Sequence, residues 1–124
     1  MSFSQYLKES FEENFYDAEY VLNYINKLHR LGWEKKKFED PERVLDAEKY
    51  ILKQIKIPDT IKVGSFHFPV AKKYSEMDEK VPPIVFDING FIIDGVHRFH
   101  AAKIRGDEFI DAYIPVNNPY LKIE

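Results

Sequence analysis

The stretch Pro82–Ile114, PPIVFDINGFIIDGVHRFHAAKIRGDEFIDAYI, constrains the fold of this chain more than any other part of it. Pro82-Pro83 forces extended backbone into Ile84, Val85 and Phe86, which enter a strand. Asn89-Gly90 is a hairpin-turn signal, and Phe91, Ile92 and Ile93 form the apolar return strand. A helix is expected from Val96 to Arg105, stopped by Gly106, and a last strand over Phe109–Ile114. The order is strand, turn, strand, sharp turn, helix, strand.

The sharp turn is Asp94-Gly95-Val96-His97-Arg98, at a helix start. Unpaired N–H groups and the positive dipole end make such a start attractive to anions, phosphate above all. Gly95 is read as letting a ligand approach the backbone, and Arg98 as a planar fork for two phosphate oxygens. A cation in a first helical turn opposes the dipole, and a bound anion would offset that. Asp94 has two readings, as a general base or magnesium ligand beside the phosphates and as a plain cap for the helix.

The first half of the chain reads as helical. Ala18, Val21, Leu22, Ile25 and Leu28 lie on one helical face between Asp17 and Leu31, with Gly32 as the stop. Phe3–Phe15 is expected to form a shorter helix. Asp40-Pro41-Glu42 marks another helix start, with Asp40 as the capping carboxylate. Val44, Ala47, Ile51 and Ile55 then predict one face of a helix reaching about Gln54. Beyond Pro58 a short strand is expected at Thr60–Val63, continued by Phe66–Phe68. One or two helical turns are expected within Val70–Met77, and an irregular tail over Pro115–Glu124.

The 124 residues suit one domain with its own core, helical over 1–56, mixed over 57–114 and irregular over 115–124. The absence of cysteine excludes a disulfide framework, thiol catalysis and thiolate metal sites. A net charge of −3 argues against a dedicated nucleic-acid binder. No apolar run approaches the ~20 residues that span a membrane, and Met1–Leu7 does not resemble a signal peptide, so a cytoplasmic protein is expected. His97 and His100 are spaced to share a helix face, but no third metal ligand is placed with them. His29 is read as complementing the dipole at the end of its helix, and Lys35–Lys37, flanked by Glu34, Glu39 and Asp40, as a solvated loop.

Pro82-Pro83-Ile84-Val85, Asn89-Gly90, Ile92-Ile93-Asp94-Gly95, His97-Arg98, Ala101-Ala102 and Gly106 together resemble the core of the ParB/sulfiredoxin-like superfamily. The resemblance is close over Pro82–Ile114 and loose from Ile61 onward. It implies an α+β fold, here a helical N-terminal layer on a small mixed sheet. It also implies that this turn binds the phosphates of a nucleotide (ATP, ADP or CTP) with magnesium. Gly95, Val96 through its N–H, His97 and Arg98 inherit that role. Lys72, Lys73 and Ser75 lie where sulfiredoxin-like folds place further phosphate contacts. If the protein is an enzyme, phosphoryl transfer or nucleotide hydrolysis is the first expectation. Arg98 would stabilise the transferring group, His97 would orient an oxygen, and Asp94 would hold metal or accept a proton.

The departures narrow this. Val96 stands where sulfiredoxin has its catalytic cysteine, which excludes sulfinic-acid reduction. No acid lies between Gly64 and Ser75, where the serine kinases of this fold carry a catalytic glutamate. ParB partition proteins continue into a helix-turn-helix domain, whereas this sequence ends at Glu124, so centromere binding is not expected. Two alternatives stand beside nucleotide binding. One is a metal-dependent nuclease using Asp87 and Asp94. The other is a non-catalytic interaction protein of phage or plasmid type, with an unidentified protein partner.

Overall fold

Asp17 starts the first helix: its carboxylate accepts the Tyr20 N–H at 2.8 Å, and α1 runs over Ala18–Arg30. Ala18, Val21, Ile25 and Leu28 are buried along one face. The helix closes through Gly32, at φ 93°, with Gly32 N–H donating to His29 and Trp33 N–H to Leu28. The computed structural model describes residues 15–34, 36–57 and 68–116. The helix expected within Phe3–Phe15 and the strands expected at Thr60–Val63 and Phe66–His67 therefore lie largely outside the described residues. Phe15 itself belongs to a short strand, β1, Phe15–Asp17.

The second helix is the main departure from expectation. α2 covers only Pro41–Leu45, and Asp40 makes no side-chain cap bond. The chain then forms β2, Lys49–Lys56, where the sequence pattern predicted helix. Ile51 and Ile55 are four apart, which suits one face of a strand as well as one face of a helix. Tertiary pairing decides. β2 lies antiparallel to β5, Phe109–Pro115, in continuous register from Tyr50 opposite Pro115 to Lys56 opposite Phe109. On its other side β2 pairs with β1, with Asp17 opposite Lys49.

The mixed half follows its sequence signals, except that Pro115, expected to open the irregular tail, ends the last strand opposite Tyr50. α3 spans Phe68–Ser75, starting before the expected Val70. β3, Ile84–Phe86, and β4, Ile92–Asp94, form the hairpin around Asn89-Gly90, with Gly90 at φ 85°. α4 spans Val96–Arg105 and ends at Gly106 with φ 81°. The sheet order is β1-β2-β5-β3-β4, antiparallel except for the parallel β3–β5 pair. The architecture is α+β with a mixed sheet. Among the described residues no helix is long and apolar enough to cross a membrane.

Strand alternation sorts the core into two layers. Ile51, Ile84, Phe86, Ile92, Ile110, Ala112 and Ile114 pack with Phe99, Ala101 and Ala102 of α4. Tyr50, Val85 and Tyr113 point the other way, onto Ala18, Val21 and Ile25 of α1 and Val44 of α2. The sheet is thus covered on both faces, by α1 and α2 on one and by α4 on the other. Tyr50 is fastened within its layer by donating its hydroxyl proton to the Val44 carbonyl at 2.7 Å.

Phe86 is 0% exposed on the α4 side. Phe86→Ala is expected to lower unfolding stability by about 3–5 kcal/mol. Urea unfolding checks this, with the denaturant slope unchanged if only core volume is lost.

Candidate functional site

The turn between β4 and α4 sits at the edge of the sheet, since β4 is the last strand in its order. Gly95 is the N-cap of α4, at φ 102°, and no side chain caps the helix. The reading of Asp94 as a simple cap is therefore corrected. Gly95 is required from inside as well. A Cβ there would stand 2.6 Å from Ile84 Cγ2 and 2.9 Å from Arg98 Nη2. The glycine admits the packing beneath it, where the sequence suggested only access for a ligand above it.

Asp94 and Arg98 do not face outward. The Asp94 side chain is 3% exposed and that of Arg98 0%, with Arg98 Nη2 donating to Asp94 Oδ2 at 3.1 Å. Arg98 also donates from Nε to the Pro82 carbonyl at 3.2 Å and from Nη2 to the Pro83 carbonyl at 2.9 Å. Tyr24 of α1 donates its hydroxyl proton to the same Pro83 carbonyl at 2.5 Å. Arg98 Nη1 is buried without an acceptor among the described residues. The expectation of an arginine fork gripping phosphate is corrected on this geometry: the guanidinium is enclosed, and its Nε and Nη2 donors are committed to protein oxygens.

The second oxygen of Asp94 meets His29, from the end of α1, at 2.7 Å through Nε2. The other ring nitrogen, Nδ1, donates to the Lys36 carbonyl at 2.7 Å. Both ring nitrogens face acceptors, so the ring bonds both fully only as the doubly protonated imidazolium. The Asp94 hydrogen bond raises the His29 pKa, burial opposes it, and the Lys36 carbonyl raises it further. With the His29 ring protonated, one carboxylate lies between two cations, and the cluster then carries a net positive charge beneath the uncapped start of α4. Asp94 is accordingly neither an available base nor an available magnesium ligand, and the residues at this turn do not fit the expected magnesium ion. Among the described residues no group of three or more His, Asp or Glu side chains is arranged to hold a metal ion.

Above the turn opens a cleft of about 280 Å³ whose lining carries Lys36, Lys37, His29 and His97 together with the acids Glu34, Glu39, Asp40 and Asp94, besides Phe38, Gly95 and Val96. His97 lies in the cleft lining, with Nδ1 3.6 Å from Glu34 Oε1. Glu39 and Asp40 complete the rim. Lys72, Lys73 and Ser75 do not line this cleft. Lys72 pairs with Glu76 at 3.6 Å, and the Ser75 hydroxyl donates to the Lys72 carbonyl at 2.6 Å. The neighbouring Tyr74 does reach the site's border, donating its hydroxyl proton to the Trp33 carbonyl and packing its ring 5.1 Å from the Trp33 ring.

Sequence reasoning missed His29, Lys36 and Lys37. The partner of His29 lies 65 residues away, and nothing local signals it. The lysines read as a solvated run because acids flank them, and only the fold turns that run toward α4. Asp87, the other carboxylate of the nuclease reading, belongs to the hairpin. Its Oδ1 accepts from Asn89 N–H and Phe91 N–H at 2.9 Å, and Oδ2 from Arg43 at 2.6 Å. It stands at the turn end of the hairpin and Asp94 at the open end, so the two do not form a paired metal site. No family model matches the chain, and no curated protein or solved structure matches it either.

Asp94→Asn leaves the Arg98 cation buried without its counter-charge, and a loss of about 3–5 kcal/mol in unfolding stability is expected. Calorimetric melting checks this, and a change within 0.5 kcal/mol, about the range of an ordinary surface substitution, would contradict it. His29 gives a pH signature. Its folded pKa is raised above the ordinary 6.5, so its contribution is fully present below 6.5 and is lost as pH rises through the folded value. Stability measured by urea unfolding should fall over that alkaline-side window, and the fall should be smaller in His29→Gln.

Proposed function

We propose that the cleft at the start of α4 binds the phosphates of a nucleotide, ATP, ADP or CTP, and that the chain is ParB/sulfiredoxin-like. The observation that carries this reading is the placement of the buried Arg98, with Asp94 and His29, under a helix start that no side chain caps. Helix dipole and the Arg98 charge act in the same direction at the start of α4, where the free N–H groups of the first turn meet a ligand anion, while Glu34, Glu39 and Asp40 border the cleft further out. Backbone N–H groups of the first turn, Val96 and His97 among them, supply directional bonds, while Lys36 and Lys37 in the cleft lining supply positive charge. Arg98 acts from below through the field and the shape of the turn.

The rim favours a small anion over a polyanion. Glu34, Glu39 and Asp40 border the cleft, and the chain carries −3 overall, so an extended nucleic-acid backbone would meet repulsion beyond the turn. Without an available carboxylate base at Asp94, the geometry supports binding more directly than turnover. For phosphoryl transfer or hydrolysis, the ionisable pair at the mouth is His97 with Glu34. A cytoplasmic setting, where nucleotides are abundant, goes with this reading.

Isothermal calorimetry with ATP, ADP and CTP, with and without magnesium, tests it. The double substitution Lys36→Ala/Lys37→Ala should weaken binding about tenfold or more, worth about 1.4 kcal/mol, with the melting temperature unchanged. Absence of binding at millimolar nucleotide would overturn the reading and leave the interaction-protein alternative ahead.

A further inference from the structure

A cavity of about 430 Å³ beside the end of α1 is lined by Asn26, His29, Arg30, Lys36, Lys37 and Phe38. Asn26 and Arg30 line it without lining the α4 cleft, and the acids of that cleft do not line this cavity. Its lining holds an arginine and two lysines and no acid. Among the described residues Arg30, Lys36 and Lys37 form no ion pair with a carboxylate, whereas Arg43, Lys72, Lys80, Arg98 and Arg105 each do. The chain carries −3 overall, so an acid-free basic lining is a local arrangement and not a consequence of composition.

The fold gathers these charges. The chain reverses after α1 through Gly32, with Trp33 N–H donating back to the Leu28 carbonyl. His29 Nδ1 donates to the Lys36 carbonyl at 2.7 Å, which holds the Lys36-Lys37 segment beside the last turn of α1. Arg30 by itself is explained by that turn, because a cation there complements the carbonyl end of the helix dipole. The dipole does not explain why two further cations from the returning chain line the same cavity. Like charges brought together without a counter-charge repel, and a bound anion relieves that repulsion. The rest of the lining suits such a ligand. Asn26 offers side-chain N–H donors, and Phe38 offers a partly buried carbon surface, its ring edge-on to His29 at 5.9 Å between centroids.

From this we infer that the cavity beside α1 is an anion site of its own, taking a small dianion of the phosphate class, as the free ion or as a phosphomonoester. Arg30 takes two oxygens with its planar fork, and Lys36 and Lys37 neutralise the charge from the returning segment. A tetrahedral dianion presents oxygens in several directions, whereas a carboxylate presents two in one plane, so cations on two segments of chain match the former. The volume lies in the range of small-molecule sites, roughly 300–1,000 Å³, which leaves room for an ester group against Phe38. The inference does not rest on the α4 turn, since Asn26 and Arg30 lie outside that cleft.

The test titrates the full chain with inorganic phosphate, and separately with phenyl phosphate, followed by two-dimensional NMR at an ionic strength held constant with sodium chloride. The side-chain N–H resonances of Asn26 and Arg30 should shift saturably at millimolar phosphate. Arg30→Gln should weaken phosphate binding about fivefold or more, read at the Asn26 side chain, and Arg30→Lys should recover part of the loss. Phosphate should also raise the melting temperature of the wild type, and raise that of Arg30→Gln less. Tighter binding of phenyl phosphate assigns an ester ligand, and affinity no better than that of phosphate assigns the free ion. Shifts at the Val96 and His97 amides with Asn26 and Arg30 unmoved would overturn the inference and leave the α4 reading standing. Shifts at Asn26 and Arg30 with Val96 and His97 unmoved would uphold it and count against that reading. Affinity unchanged in Arg30→Gln, or shifts that never saturate, would overturn it as well.

Discussion

The buried carboxylate of Asp94 is the interaction on which the rest of this structure depends. It ends the edge strand β4 and accepts from His29 of α1 with one oxygen and from Arg98 of α4 with the other. Those helices cover opposite faces of the sheet, so one side chain joins the two layers around its edge. Burying three ionised groups is costly unless each is paired and hydrogen-bonded. Here the Pro82 and Pro83 carbonyls take the remaining arginine donors, apart from Nη1, and the Lys36 carbonyl takes the second histidine proton. Proline serves well at 82 and 83, because it supplies carbonyl acceptors without adding N–H groups that would need partners of their own.

This arrangement changes what the helix start offers a ligand. An arginine on the surface would grip an anion directly but would also be screened by water and salt. Enclosed, it gives up the two-pronged contact and sets a field that solvent screens less. Gly95 is the thin cover over that charge, since any side chain there would collide with Ile84 and with the guanidinium itself. The outward part of the site then combines the first-turn backbone of α4 with His97, Lys36 and Lys37, bordered by Glu34, Glu39 and Asp40.

Much of the fold was legible in the sequence because its boundaries are local. Asp17 caps α1, Gly32 and Gly106 close α1 and α4, and Asn89-Gly90 turns the hairpin, each through chemistry contained within a few residues. β2 was not legible, since Ile51 and Ile55 satisfy both periods and the β5 strand that decides between them follows more than fifty residues later. At the site the turn was found but its polarity was inverted. The position of Arg98 in the first turn was plain, whereas the direction of its side chain depends on Asp94 and on two carbonyls earlier in the chain. Lys72, Lys73 and Ser75 came from a family resemblance, and on α3 they are not among the residues that line the cleft. His29 gave no local sign at all.

The most direct measurement is a nucleotide titration followed by two-dimensional amide and imidazole NMR near neutral pH. The account predicts that ATP shifts the amide resonances of Val96 and His97 together with those of Lys36 and Lys37. It also predicts that the His29 ring stays doubly protonated throughout. Shifts confined to other surfaces, with the first turn of α4 unmoved, or a neutral His29 ring in the free protein, would contradict it.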